Sequence, residues 1–236
     1  MKYYWLTNSL KTKEIGKYPQ SISPISLGNI TSINNENPFD DTVPINEKKI
    51  QLPGPSIHPK SKTTSYLKID TIGFTVFLVL KNYFLEFLKD FNIPKYQAWS
   101  INIYQSKRIL KEYYLFRLSY SDDYKYINYT KSEFLIGKLG NWKDPSIRKA
   151  VKVESYENYK SLLDVLQSSE DGAQIRCNKS VLNLSKYNVD MFRLIENPIL
   201  IGYIVSEKLK NAIEEKHYTG MVFKELKDVD NRIEIV

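Results

Sequence analysis

At 236 residues, with 42% hydrophobic and 13% aromatic side chains, the chain can bury a real core in one large domain or two small ones. A single cysteine, Cys177, excludes an internal disulfide framework, and two histidines, His58 and His217, leave little material for metal or acid–base chemistry. The charge is 34 basic against 27 acidic residues, a surplus of +7 that reads either as compositional bias toward Lys, Asn, Ile and Tyr or as preparation for an acidic or polyanionic partner.

Residues 1–7 read as a strand with Tyr3 and Trp5 on one face. From 16 to 62 the character changes, because seven of the ten prolines fall there among Ser, Asn and Asp. Isolated apolar residues such as Ile22, Ile25, Leu27 and Val43 suggest an arm that wraps the surface and tucks single side chains under itself. The apolar stretch 71–80 is too short to span a bilayer and leads into a helix over 82–91, with Tyr83, Phe84, Phe87, Leu88 and Phe91 on its inner face. Tyr96-Gln97-Ala98-Trp99 follows as a strand. Residues 101–104 and 113–120 alternate like an antiparallel pair joined by a loop over 105–111. Residues 126–129 and 132–136 extend the sheet, a loop over 137–149 carries Trp142, and 151–153 is a strand fragment. Ser155 caps a helix over 155–167, and short strands at 173–177, 181–184 and 191–194 come next.

Residues 199–205 form an apolar, β-branched run suited to a buried strand. Ser206 stands at an N-cap position, Leu209, Ala212 and Ile213 share a helix face, Gly220 permits a turn, and Met221, Val222 and Phe223 open a second strand. The same grammar occurs 125 positions earlier: Leu209 aligns with Phe84, Ala212 with Phe87 and Ile213 with Leu88, which predicts a degenerate internal repeat of a strand-helix-strand unit. In the first copy Lys81 stands where Ser206 does, leaving Asn82 as the alternative cap.

The run from Ile204 to Phe223, a hydrophobic strand, Ser206, an amphipathic helix and Thr219-Gly220 before a final strand, resembles the C-terminal signature of a family of bacterial immunity proteins found beside polymorphic toxins. Three other segments resemble that family: Tyr3-Tyr4-Trp5-Leu6, the stretch 59–67 with its Lys62-Thr63, and Asp190-Met191-Phe192-Arg193-Leu194. The structural signature is then Ser206, Leu209, Ile213, Thr219, Gly220 and Phe223. The resemblance implies a cytoplasmic protein that binds and neutralises a cognate toxin without catalysis and needs no cofactor. An N-terminus without an apolar leader agrees with that location.

Read for chemistry, the residues offer little. Ser206 lacks the flanking glycines of a nucleophile elbow, the nine glycines form no phosphate loop, and the carboxylate pairs Asp40-Asp41, Asp122-Asp123 and Glu214-Glu215 are adjacent rather than opposed. Tyr113, Tyr114, Tyr120, Tyr124, Tyr126 and Tyr129, mixed with Arg117 and Lys125, have three readings: an ordinary sheet surface, a protein-binding face, or a stacking platform for single-stranded nucleic acid. The expected partner-contacting residues are Trp142, Lys143, Asp144, Arg148, Tyr124 and Tyr126, with no metal, cofactor or catalytic site.

The expected fold is α+β: a mostly antiparallel sheet with three main helices near 82–91, 155–167 and 206–216, in one domain containing the arm (16–62) and two helix–sheet units (63–136 and 150–236). The expected partner is a toxin with an acidic contact surface. A nucleic-acid-associated basic binding protein is the alternative, and no membrane association is expected.

Overall fold

The computed structural model describes residues 2–23, 54–69, 77–118, 123–138, 148–169, 172–194 and 202–236. In chain order these form β1 (Tyr3–Asn8), α1 (Thr12–Ile15), β2 (Tyr66–Leu67), β3 (Leu78–Lys81), α2 (Asn82–Leu88), β4 (Tyr96–Gln105) and β5 (Arg108–Leu118). Then come β6 (Glu133–Lys138), β7 (Lys149–Val151), α3 (Tyr156–Gln167), β8 (Ala173–Leu182) and β9 (Met191–Phe192). The chain ends with β10 (Tyr203–Ser206), α4 (Glu207–Glu215), β11 (Met221–Glu225), α5 (Leu226–Val229) and β12 (Ile233–Ile235). The architecture is α+β with largely antiparallel sheets; β12 joins β8 in parallel. No helix among the described residues is long and apolar enough to cross a membrane.

Two compact units share these elements, and they do not follow the expected division at 63–136 and 150–236. One gathers the described residues of Met1–Ser121, Val189–Arg193 and Ile201–Glu225; the other those of Asp122–Asn188, Leu194–Leu200 and Leu226–Val236.

The first unit contains two four-stranded sheets, in the orders β2-β3-β5-β4 and β9-β10-β1-β11. They are two copies of one design. Each element of the second copy lies 125 positions after its counterpart: Tyr66 and Met191 start β2 and β9, Leu78 and Tyr203 start β3 and β10, Asn82 and Glu207 start α2 and α4, Tyr96 and Met221 start β4 and β11. The registers also agree, Tyr66 pairing with Leu80 as Met191 pairs with Val205. The place of β5 in the second copy is taken by β1, the first strand of the chain. Tyr113 opposite Lys81 corresponds to Tyr3 opposite Ser206, and Phe116 opposite Ala98 to Leu6 opposite Phe223. The two phenols even make the same bond, Tyr113 Oη donating to Thr64 O at 2.9 Å and Tyr3 Oη to Val189 O at 3.2 Å. The degenerate repeat is therefore real and closed by a strand from the opposite end of the chain.

Both copies fill one core. Leu78, Leu80, Phe84, Leu88 and Phe116 of the first meet Tyr203, Val205, Leu209, Ile213 and Leu6, their counterparts, in a single buried cluster. Each of these large side chains contributes about 1.5–3 kcal/mol by leaving water, and the cluster they form draws on both copies. Tyr83, expected inside, is exposed, and Leu85 is buried in its place. Helix α2 ends at Leu88, and its N-cap Lys81 makes no side-chain cap bond, so the Asn82 alternative does not hold either: Asn82 is already the first helical residue.

A second sheet face is covered by Ile57, Leu67, Val79, Trp99, Ile103, Tyr113 and Leu115, so that β5 is buried on both sides from Leu115 to Leu118 while its first residues stay in water. The loop expected over 105–111 is instead a tight turn at Ser106-Lys107, with Ser106 at φ 53°, and the strands run through Gln105 and Arg108. Their outward polar residues hid the alternation. Both described ends of the arm add to the sheet edge: Tyr104 N donates to Pro55 O, Ile57 N to Tyr104 O, and Ile22 N to Ser56 O. Its middle, 24–53, lies outside the described residues.

In the second unit the sheet order is β12-β8-β6-β7, with α3 packing Tyr159 against Phe134 at 5.7 Å between ring centroids. Ser155 caps α3, accepting from Asn158 N at 3.2 Å. Residues 126–129 are not a strand. Asn128 Oδ1 accepts from Thr130 Oγ1 and Lys131 N, an Asx turn that outcompetes the strand preference of the flanking tyrosines, and a lone bridge joins Ile127 to Leu182. The strands expected at 173–177 and 181–184 are one strand, β8, which passes Asn178-Lys179 beside an irregularity at Glu133.

Candidate functional site

The six signature residues converge on the join between the two copies. Ser206 is fully buried; its Oγ accepts from Leu209 N at 3.1 Å as the N-cap and donates to Asp190 Oδ1 at 2.7 Å. Asp190 Oδ2 in turn accepts from Asn92 N at 2.9 Å and Lys208 Nζ at 3.2 Å. A hydroxyl has one proton to give, and here it is committed to a buried carboxylate, with no imidazole in the arrangement. Ser206 positions a helix and joins it to the other copy.

The opposite side of the join repeats the geometry with neutral groups. Tyr66 N donates to Thr219 O at 3.1 Å and Thr219 N to Ser65 Oγ at 3.0 Å, just as Asp190 N donates to Asn92 O at 2.7 Å and Asn92 N returns a bond to Asp190. Each copy thus clasps the turn after the other copy's helix. Gly220 sits at φ 93°, its N–H donating to Glu14 Oε1 at 2.6 Å, and a side chain there would strike Tyr66 O. Glu14 also receives Ser9 Oγ at 2.6 Å. Leu209 and Ile213 lie in the shared core, and Phe223 packs at its margin. Sequence reading placed Ser206 and Gly220 but missed Asp190 and Glu14 as their partners. Spacing alone could not connect residues 16 and 206 positions apart.

The expected contact residues belong to the other unit. Tyr124 is half-buried and stacked on Tyr156 at 4.1 Å, with Lys125 Nζ 5.6 Å from its ring centroid. Tyr126 is only 7% exposed, edge-on to Tyr187, so it offers little area to a partner. Arg148 is half-buried just before β7, while Trp142, Lys143 and Asp144 lie outside the described residues. Among the described residues the tyrosine-rich stretch forms no open stacking platform: Tyr113, Arg117, Tyr126 and Tyr129 are all buried, the Arg117 guanidinium lies over Phe77, and Tyr120 lies outside the described residues.

Burial pushes the Tyr113 phenol well above its ordinary range and raises that of Tyr3, helped by the neighbouring carboxylates Glu112 and Asp190 respectively. Both stay neutral donors. His217 is exposed at φ 53° just past α4, His58 Nδ1 accepts from Lys60 N, and the half-buried Cys177 lies on β8. Among the described residues no three His, Cys, Asp or Glu side chains cluster to hold a metal ion. No protein-family model matches this chain, and no curated protein does.

Proposed function

We propose that this chain is an immunity protein of a bacterial polymorphic toxin system, acting in the cytoplasm by binding its cognate toxin one to one and covering the toxin's active site. One observation carries the reading. The four segments that resemble the family, 3–6, 59–67, 190–194 and 204–223, are scattered along the sequence, yet all of them except Leu194 belong to one folded unit and bond to each other: β1 pairs with β10 and β11, Asp190 with Ser206, and Ser65-Tyr66 with Thr219. Chance matches to a family pattern have no reason to interlock. The residues of that pattern build a rigid scaffold, and contact with the toxin is the work of the surface it supports. Neutralisation by contact needs no proton carrier, no metal and no cofactor.

The test is co-expression with the product of the adjacent upstream gene, scored by growth and by the mass of the purified complex. Growth restored together with a stable one-to-one complex supports the reading. Arrest without rescue, and no complex at micromolar concentration, refutes it.

A further inference from the structure

The basic residues that look scattered in the sequence are gathered by the fold. The described residues 16–23, 54–62 and 102–111 meet along one edge of the β2-β3-β5-β4 sheet, through Ile22 N to Ser56 O, Ile57 N to Tyr104 O and the β4–β5 hairpin. Within these three stretches stand Lys17, Lys60, Lys62, Lys107, Arg108 and Lys111, all exposed, and no carboxylate; Glu112, the residue after Lys111, lies 3.9 Å from Lys81. Six positive charges in this one region compare with a net +7 for the whole chain. Among the described residues none of the six forms an ion pair; Lys62 Nζ donates to Lys13 O.

An apolar row crosses the same region. Backbone pairing sets Ile22 beside Ser56, Ser56 beside Tyr104, and Tyr104 opposite Ile109. Ile22 is 63% exposed, Tyr104 41% and Ile109 50%, so three of the large apolar side chains left in water line up across four neighbouring strands. Single exposed apolar residues need no account, but an aligned row inside a one-signed rim has the composition of a binding surface: apolar anchors at the centre, charge around them. The tip has no counterpart in the other copy, since β11 stops at Glu225 and β1 starts at Tyr3, the equivalents of Ser100 and Tyr113. The duplicated scaffold does not require it.

We infer that this edge, with Ile22, Tyr104 and Ile109 as anchors and Lys107, Arg108 and Lys111 as its rim, is the docking surface for an acidic protein partner, which on the proposed function is the toxin. A second copy of this chain would bring six positive charges against six. The three stretches expose two rings, Tyr18 and Tyr104, and the row itself holds only one, which is not the succession of ring faces on which consecutive bases stack. An acidic protein surface complements both the charge and the row. The rim steers encounter and the row sets residence time.

The experiment measures binding of the catalytically silenced toxin domain encoded beside this chain at 50 and 500 mM salt, alongside a dT20 oligonucleotide. The proteins are wild type, Lys107→Glu/Arg108→Glu, Tyr104→Ala/Ile109→Ala and, on the other unit, Tyr124→Ala/Arg148→Ala. Circular dichroism and urea midpoints confirm folding of each. The expected result is a slowing of association by tenfold or more for the charge reversal at low salt that shrinks at high salt, as screening over ~10 Å at 0.1 M requires. The anchor variant raises Kd by tenfold or more, mainly through dissociation, and the Tyr124→Ala/Arg148→Ala variant binds like wild type. Wild-type binding that both edge variants retain overturns this surface and leaves the immunity reading standing, as does selective loss in Tyr124→Ala/Arg148→Ala. Failure of the wild type itself to bind the toxin overturns the immunity reading, and this assignment falls with it. Oligonucleotide binding that the charge reversal abolishes while toxin binding persists also overturns it.

Discussion

Asp190 offers the most severe test of the duplicated join. Its carboxylate is almost completely buried and takes three donors: Ser206 Oγ at 2.7 Å, Asn92 N at 2.9 Å and Lys208 Nζ at 3.2 Å. In Asp190→Ala the lysine head can return to water, because that side chain is 59% exposed, so its part of the loss is small. The Ser206 hydroxyl cannot, whereas the amide of the exposed Asn92 can. Leaving the buried hydroxyl without its acceptor, and removing the group that joins one copy's helix cap to the other copy's turn, costs about 2–4 kcal/mol. Ser65→Ala is the internal control. Ser65 occupies the equivalent position, its Oγ accepting from Thr219 N and lying 2.9 Å from Tyr83 Oη, and loss of such neutral bonds costs about 1 kcal/mol. With a urea m-value of about 2–3 kcal/mol per molar, Asp190→Ala lowers the midpoint by between about 0.7 and 2 M and Ser65→Ala by no more than about 0.5 M. Urea unfolding followed by far-ultraviolet circular dichroism reads both. Equal midpoints for the two variants would falsify the claim that the charged side of the join carries more of the stability.

Gly220→Ala combines a positive φ with a Cβ driven into the Tyr66 carbonyl and within 2.9 Å of Thr64 Oγ1, so it loses at least about 3 kcal/mol by the same assay or fails to give soluble protein. Ser206→Ala removes the cap of α4 and the bond to Asp190 together and lowers stability by about 2 kcal/mol; Ser155→Ala, a cap on the exposed α3, loses about 1. The raised phenol pKa values of Tyr3 and Tyr113 give stability that is whole below the unfolded value of about 10 and is lost as pH rises past it, because the unfolded chain then releases protons the folded chain keeps. Thermal melts between pH 8 and 11.5 should show a steeper alkaline fall for wild type than for Tyr3→Phe/Tyr113→Phe. A chain starting at Lys11 lacks β1, a central strand hydrogen-bonded to β10 and β11, and should melt broadly; a peptide of residues 2–10 added in trans should restore a sharp transition, and no effect from it would count against the shared core.

The helices and the repeat were legible because their signals are local. Ser155 and Ser206 stand where caps belong, and the spacing of Leu209 and Ile213 is that of a buried helix face. The 125-residue offset survived in positions even where it had vanished from residue identities, since a buried position demands only an apolar group: Phe84 and Leu209, Leu88 and Ile213. What stayed hidden was non-local. Nothing near Tyr3 announces that it completes a sheet with residues two hundred positions away, although Tyr3-Tyr4 matches Tyr113-Tyr114 in both type and place. Asp190 read only as the first residue of a family-like segment, just ahead of a short strand, and only its bonds to Ser206 and across the join to Asn92 give it a role. The 126–129 error has another cause: tyrosines favour strands, but Asn128 bonds its own neighbours and turns the chain.

A duplicated scaffold also separates what structure requires from what it does not. Strands, helix faces, registers and even the two phenol bonds recur in both copies, and selection for a shared core accounts for them. The departures from symmetry are few. Ser206 and Asp190 replace Lys81 and Ser65 at one side of the join, converting a neutral clasp into a charged one. The hairpin from Ser100 to Tyr113 exists in one copy alone, and the Pro-rich arm's described ends attach to that hairpin. Stability explains the first departure, since it satisfies a buried cap. It does not explain the second, which leaves isoleucine and tyrosine in water beside unpaired lysines. A feature that costs solubility and adds nothing to the common core is where a partner is to be sought, and the charge there names the partner's sign.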